Sequence, residues 1–424
     1  MTTVTIADIE VAAARLERHV VRTPCLRSDT LSAMTGADIW LKFENLQYTA
    51  SFKERGARNF LESLDAETRL RGIVAASAGN HAQGVAYHAR LLGVPATIVM
   101  PESTPFTKVS RTEMECATVV IEGTDFATAY ARAQSIAAAT GATFVPAFDD
   151  PRIVAGAGTV GLEIVDQVPD VDTVVVPVGG GGLLAGIAIA VRARSRDARV
   201  IGVQSETHTA FAHRFGSDDA APTTTTPPLA ATNVATVATV ATVATVATTI
   251  AEGIAVTNPA DLTIEIARRL VDDVLVVHEA TIEAAITDLV EIEKTVVEGA
   301  GAAALAALLD HKARFGGRRC VLVLSGGNID LRSLSSVVMR ALARSGRLVR
   351  FRFLIPDLPG QLGRVAEIIG HERGNIIDVE HHRDRPGVAV RDAILELSVE
   401  TRDTRHATAI ADALDAAGFT QLDA

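Results

Sequence analysis

The chain has 424 residues and a mass of 44.5 kDa; 48% of it is hydrophobic, 21% charged and only 4% aromatic, with a formal charge of −11 and a pI of about 5.5. That length gives two or three domains with large aliphatic cores, which excludes a disulfide-stapled mini-protein and a disordered chain. The acidic balance leaves no basic face for a phosphate backbone, so a small molecule, not nucleic acid, is the expected partner.

The opening stretch, MTTVTIADIEVAAARLERHVVRTP, has the spacing of an amphipathic helix with charges throughout and lacks the apolar run of a secretory signal. Cys25, Cys116 and Cys320 are odd in number, far apart and in no metal-ligand spacing, and read as reduced thiols. Both features point to the cytoplasm. Near-continuous β-branched runs then predict strands buried on both faces: GIVAAS (72–77), ATIVMP (96–101), ATVVIEG (117–123), TFVPAF (143–148), VDTVVVPVG (171–179), RVIGVQSE (199–206) and RCVLVLSGG (319–327). Helical segments such as HAQGVAYHARLLG and FATAYARAQSIAAATG separate most of them. That alternation predicts parallel α/β sheets, whose ligands gather at the carboxyl ends of the strands.

Two uncharged stretches have the length of a membrane span. Residues 173–191 (TVVVPVGGGGLLAGIAIAV) carry a proline and four consecutive glycines, so they read as strand, turn and helix. Residues 220–251 are too rich in threonine and proline, and no membrane association is expected. Within them, Ala-Thr-Val recurs from Ala235, Ala238, Ala241 and Ala244, a period of three that suits neither helix nor strand and reads as a surface loop. After Leu348 the order is strand (VRFRFLIPD), helix, strand (NIIDVEHHR), strand (AVRDAILELSVET), helix and a short apolar remnant, a ferredoxin-like unit over 348–424. Ser345-Gly346-Arg347 makes a linker to it, leaving 1–344 as the first domain, with a smaller subdomain near 45–150.

Chemistry is expected in the turns. Ser51 and Glu54 fit a capping box, which starts a helix with Lys53 in its first turn, where the positive end of the dipole favours a neutral amine. Ser77-Ala78-Gly79-Asn80-His81 opens a helix whose free amides suit a carboxylate, with Asn80 as an added donor; an ordinary cap reads equally well. Gly179-Gly180-Gly181-Gly182, between a strand and a helix, can wrap a phosphate. The same turn fits G-x-G-x-x-A at Gly180, Gly182 and Ala185, with Glu206 on the next strand, so a nicotinamide dinucleotide stays open as a rival ligand. Ser325-Gly326-Gly327-Asn328 follows a strand and offers a hydroxyl to a ring or a plain turn. Glu298, in VVEGAGAAA, reads as a helix N-terminal charge.

Taken together and in this order, KFENLQYTASFKERGARN, SAGNHAQGVA, PVGGGGLLAGI, VVEGAGAAA and LSGGNIDL closely resemble the threonine/serine dehydratases of pyridoxal-phosphate fold type II, over about residues 8–345. The resemblance implies two open, twisted α/β subdomains and pyridoxal 5'-phosphate as cofactor. It implies that Lys53 anchors the cofactor covalently, that Phe52 lies beside it, that Gly179, Gly180, Gly181 and Gly182 hold its phosphate, that Asn80 bonds the ring hydroxyl and that Ser325 faces the ring nitrogen. The substrate carboxylate would sit on Ser77, Ala78, Gly79, Asn80 and His81, and the freed Lys53 would take the α-proton. β-Elimination from threonine would give 2-oxobutanoate and ammonia, with serine a weaker substrate; a serine or 3-hydroxyaspartate dehydratase, or a catalytically silent amino-acid sensor, are the other readings.

Racemases of the family carry a serine where this chain has Ala78, which disfavours racemisation. Members that bind a divalent cation carry a carboxylate near Gln204, so no such metal is expected, while a monovalent ion stays open. The C-terminal unit resembles an ACT domain, with Asp357-Leu358-Pro359-Gly360-Gln361-Leu362 at its first turn; this implies an amino-acid effector or a pairing role, and a homodimer or homotetramer.

Overall fold

The computed structural model describes residues 4–216 and 249–422, so residues 222–248 of the threonine-rich stretch lie outside the described residues. The chain divides into two compact units, Met1–Ile329 and Asp330–Ala424. The helix Leu331–Arg344 therefore goes with the second unit, and the break falls ahead of the Ser345-Gly346-Arg347 turn. Among the described residues no helix is long and apolar enough to cross a membrane.

The first unit holds two sheets. The larger runs, from one edge, Cys25–Ser28, Asp38–Lys42, Arg319–Val323, Thr173–Pro177, Arg199–Ser205 and Asp273–Val277, and every neighbour is parallel except the first pair. Its middle strands carry the near-continuous apolar runs because helices cover both faces: all five residues of Thr173–Pro177 are buried. The smaller sheet, Thr118–Ile121, Ala96–Met100, Ile73–Ala76 and Thr143–Phe144, is wholly parallel. Phe60, Val85, Ala89, Ile98 and Met100 form the core on one side of it.

Three strands of the larger sheet, Cys25–Ser28, Asp38–Lys42 and Asp273–Val277, have no counterpart in the predicted set. Cys25–Ser28 and Asp38–Lys42 are short and carry polar residues, so pairing within the sheet makes them strands, whereas Asp273–Val277 (DVLVV) is a β-branched run left out of that set. The predicted strand 143–148 shortens to Thr143–Phe144 because the next carbonyls leave the sheet for side chains. Val145 O lies 3.0 Å from His81 Nε2, and Ala147 O accepts from Lys53 Nζ at 2.9 Å.

In the second unit, Leu348–Pro356, Asp392–Glu400 and Asn375–His382 form an antiparallel sheet in that spatial order. Helices Gln361–His371 and Thr404–Ala416 complete the βαββα sequence. Gln421 bridges to Phe353, which puts the C-terminal remnant beside the first strand in a ferredoxin-like order. Phe351, Phe353, Leu395 and Leu397 pack against Val365, Ile369, Ile410 and Leu414 as its core.

Inside the first unit, two cations and two anions meet. The Arg55 guanidinium donates from Nε to Glu44 Oε2 (2.7 Å) and from Nη2 to Glu44 Oε1 (2.8 Å), and reaches Glu163 Oε1 and Oε2 at 2.7 and 2.9 Å. Lys42 Nζ donates to Glu163 Oε2 at 2.5 Å and to Thr23 O at 2.7 Å. Arg55 and Glu44 are 1% and 0% exposed, so this cluster has almost no water to fall back on. Burial alone would raise the Glu44 pKa, but Arg55 and Lys42 beside it hold the carboxyl below its usual range. The cluster ties the strand Asp38–Lys42 and the helix Pro151–Gln167 to the helix Lys53–Ser63.

Removing the guanidinium strands the buried Glu44 carboxylate and leaves Glu163 to Lys42 alone. Arg55→Ala should cost about 3–5 kcal/mol in urea denaturation at pH 7.5. In that variant the orphaned Glu44 carboxyl should have a folded-state pKa above its unfolded one, so part of the loss should return as pH falls through the carboxylate range. A loss below about 1 kcal/mol, or one that grows on acidification, would contradict the cluster's role.

Candidate active site

The helix carrying Lys53 spans Lys53–Ser63, with Phe52 at its N-cap, and the expected capping box does not form. Ser51 Oγ accepts from Lys53 N at 3.3 Å, two residues on instead of three, and the Glu54 carboxylate turns away to accept from Thr49 N. The reason is tertiary: Ser51 pairs with Gly326 in an antiparallel bridge, Phe52 N donates to Ser325 O at 3.1 Å, and Gly327 N donates to Ala50 O at 2.9 Å. Residues 50–52 are thus pinned to the Ser325–Asn328 turn before the helix begins. Lys53 keeps its place in the first turn, half-buried, its amine held by Ala147 O. Burial pulls its pKa down to about 8, against the upward pull of Glu298.

The predicted turns converge around this amine. The helix Asn80–Leu92 follows the strand Ile73–Ala76, and Ser77 Oγ accepts from Gly79 N at 3.1 Å. Ser77, Ala78, Gly79 and Asn80 are half-buried, and a Cβ on Gly79 would meet nothing within 4 Å, so the turn faces open space. His81 is buried; burial, with the Lys53 charge, pushes its imidazole down to about 3, which keeps it neutral with its proton directed at Val145 O. Asn80 is clamped on both sides: Nδ2 donates to Glu298 Oε1 at 2.6 Å and Oδ1 accepts from Asn328 Nδ2 at 2.8 Å.

The glycine run makes a cradle with no room for side chains. A Cβ on Gly180 would sit 2.3 Å from the Phe148 ring, and one on Gly181 would sit 2.4 Å from Phe211 and 2.8 Å from Thr263. Gly181, at φ +90°, is the left-handed residue that turns the chain into the helix Gly182–Arg194. Thr263 Oγ1 donates to Gly180 O at 2.7 Å, which fixes the turn and leaves the amides of the helix's first turn free. A run of free amides at a helix start fits a phosphate, and the neutral-leaning lysine fits a carbonyl carbon, so these residues suit pyridoxal phosphate. Ser325, 4% exposed, lies at the end of the strand Arg319–Val323 on the same side.

Glu298 belongs here too, though its sequence setting reads as a helix charge. It caps the helix Gly299–Asp310, and its carboxyl fills the space above Gly326, where a Cβ would meet Oε1 at 2.4 Å. Burial raises its pKa to about 7, opposed by the Asn80 hydrogen bond. A glutamate ahead of an all-small helix is the only sequence signal, since the partner lies 218 residues away. The carbonyls of Val145 and Ala147 and the ring of Phe148 leave no sequence signal at all.

Gln204 is buried, its Oε1 accepting from Ala212 N at 2.8 Å. The cysteines are free; burial pushes the Cys25 and Cys320 thiols up to about 12, so both are inert. In the second unit, Glu380, His382 and Glu396 bring ligand-type atoms within 4.8 Å of one another, but Arg352 and Arg385 each already pair with Glu396 at 3.2 Å.

In cofactor-free protein, competitive acylation of amines read by mass spectrometry should give Lys53 a pH midpoint near 8, where half of it is neutral. A midpoint near the ordinary lysine value would contradict the burial argument.

The model of the family described as "Pyridoxal-phosphate dependent enzyme" matches residues 16–326. An L-threonine ammonia-lyase of Thermotoga maritima is 41% identical over 416 residues, 98% of each chain. Maize serine racemase superposes with a TM-score of 0.70 at 32% identity, covering 81% of this chain and 99% of that one. The processed form of threonine deaminase isoform 2 from Solanum lycopersicum also reaches 0.70, at 30% identity, over 79% and 92%. With a lysine, a glycine cradle and a clamped asparagine meeting at the strand ends inside the matched region, the chain belongs to the pyridoxal-phosphate dependent enzyme family.

Proposed function

We propose that the protein is an L-threonine ammonia-lyase, converting L-threonine to 2-oxobutanoate and ammonia and acting more slowly on L-serine. The reading rests on the Lys53 amine, half-buried and poised near neutrality where three strand-end turns meet, in a chain matched from end to end by the Thermotoga maritima enzyme. A second reading, as a serine dehydratase, has no observation of its own in its favour.

When bound, pyridoxal phosphate supplies the electron sink that makes the α-proton of an amino acid removable. The chain's residues do the rest. The Gly179–Gly182 amides take the phosphate, aided by the helix dipole. Asn80 meets the ring hydroxyl, unable to rotate between Glu298 and Asn328. Ser325 would meet the ring nitrogen with a hydroxyl, not an acid, and so would not supply a strong proton donor there. Phe52, with the Lys53 amine 5.1 Å from its ring centre, walls one side. The open Ser77–His81 turn takes the substrate carboxylate. Lys53 anchors the cofactor and then accepts the α-proton, a double task that suits an amine depressed to about 8.

Ala78 carries only a methyl group where racemases of the family carry a serine, and so would offer no proton donor for the other face of the α-carbon. That separates the expected chemistry from that of the serine racemase it resembles in fold. The second unit acts as an ACT-like regulatory module, with an amino-acid effector at the Asp357–Leu362 turn and pairing into a homodimer or homotetramer; its ferredoxin-like strand order supports this. The free cysteines support a cytoplasmic setting, since reduced thiols persist in a reducing compartment.

An absorbance spectrum of the holoprotein, taken before and after L-threonine with 2-oxobutanoate assayed in the same cuvette, tests the whole reading. The visible band should shift and keto acid accumulate; a band with no product from threonine or serine would overturn it. Lys53→Ala should lower turnover by about 10³-fold or more. Ala78→Ser should acquire measurable D-serine formation from L-serine, read by chiral chromatography, and its absence would remove the opposite-face argument.

A further inference from the structure

The helix Asn80–Leu92 packs against the lysine's own helix. Residues four apart share a helix face, so Asn80, Gly84 and His88 line up one turn after another. Asn80 sits in the clamp with Glu298 and Asn328. One turn on, Gly84 lies directly on the peptide that joins Lys53 to Glu54: a Cβ there would be 3.2 Å from Lys53 C and 3.2 Å from Glu54 N. That is closer than side-chain carbons normally come, so the lysine's peptide would have to give by a few tenths of an ångström.

One turn further, His88 Nε2 lies 3.4 Å from Glu54 Oε2, and both side chains are 0% exposed. Outside that contact, neither this carboxylate oxygen nor the His88 ring nitrogens have a hydrogen-bond partner among the described residues. The other oxygen of Glu54 accepts from Thr49 N, at the entrance to the Ala50–Phe52 segment pinned on the Ser325–Asn328 turn. A buried carboxylate oxygen with only one imidazole beside it ties its main chain to that imidazole, because a shift would leave that oxygen buried without a partner.

We propose that the ridge Asn80–Gly84–His88 positions Lys53: Gly84 sets the distance between the lysine's peptide and the Asn80 clamp, and His88, acting through Glu54, fixes the first turn of the lysine's helix at that distance. The inference rests on Lys53 being the cofactor-binding amine. Gly84 and His88 are positioning residues and touch neither cofactor nor substrate. The charged and titratable groups that face the amine itself are Glu298 and His81, and neither is altered by these substitutions.

The test uses full-length holoprotein carrying Gly84→Ala, His88→Leu or His88→Gln, with Gly370→Ala, whose added carbon would meet nothing within 4 Å, as control. Two readouts are taken: the pH midpoint of the bound cofactor's visible band, and kcat against KM for L-threonine. A displacement of a few tenths of an ångström at a reacting group should lower kcat about tenfold. Gly84→Ala and His88→Leu should show that fall with KM within about threefold, together with a moved pH midpoint. His88→Gln, which can still donate to Glu54, should recover most of both, and the control should match the parent.

An unmoved midpoint with unchanged kcat in soluble Gly84→Ala would overturn the proposal. So would a kcat that falls only in step with the folded fraction, or a His88→Gln no better than His88→Leu. If Gly84→Ala yields no soluble protein, the His88 pair decides alone. Lys53→Ala run alongside keeps the two levels apart: persistence of its covalent visible band would remove the underlying assignment, whatever the ridge variants do.

Discussion

The geometry of the site depends on a buried charge cluster that never touches it. Arg55 stands two residues after Lys53 on the same helix and is held by Glu44 and Glu163, with Lys42 completing the set. Such a cluster gains little net stability over a hydrophobic equivalent, since the desolvation of four charges offsets their attraction. What it supplies is uniqueness: any other register of the lysine's helix would leave a charge buried and unpaired. The strand Asp38–Lys42, the helix Pro151–Gln167 and the lysine are therefore fixed as one body.

The lysine gets its chemistry from what surrounds that body. Burial lowers the amine's proton affinity, and its one hydrogen bond goes to Ala147 O, a neutral acceptor that holds the amine in place without adding a full negative charge. Glu298 is the nearest counterweight, and burial raises its own pKa to about 7, so it pulls less than a fully ionised carboxylate would. Two groups with opposed shifts in one pocket are the pattern expected where protons are moved. Asn80 is aimed by its hydrogen bonds to the Glu298 carboxyl and to Asn328.

The second unit follows separate rules. It is antiparallel, with its apolar side packed on two helices, and its alternating strands made it readable over 348–424, whereas the position of the helix Leu331–Arg344 was not. That helix is amphipathic with only Val337 fully buried, and nothing in its pattern says which unit it serves. The short edge strand Cys25–Ser28 was hidden for a related reason, because two of its four residues face solvent.

The sequence by itself determined the α/β alternation, the ferredoxin-like tail and the identity of the turns that carry chemistry, because each is a local signal: a β-branched run, a glycine run before a helix, a lysine beside a helix start. Only the tertiary structure decided how those turns are held. The capping box expected at Ser51 and Glu54 lost to other partners: Ser51 pairs with Gly326, 275 residues on, and Glu54 turns to Thr49 N and to the buried His88. Glu298, Asn328 and the carbonyls of Val145 and Ala147 reach the site from distant strand ends. Their roles depend on distance in space, which sequence spacing does not encode.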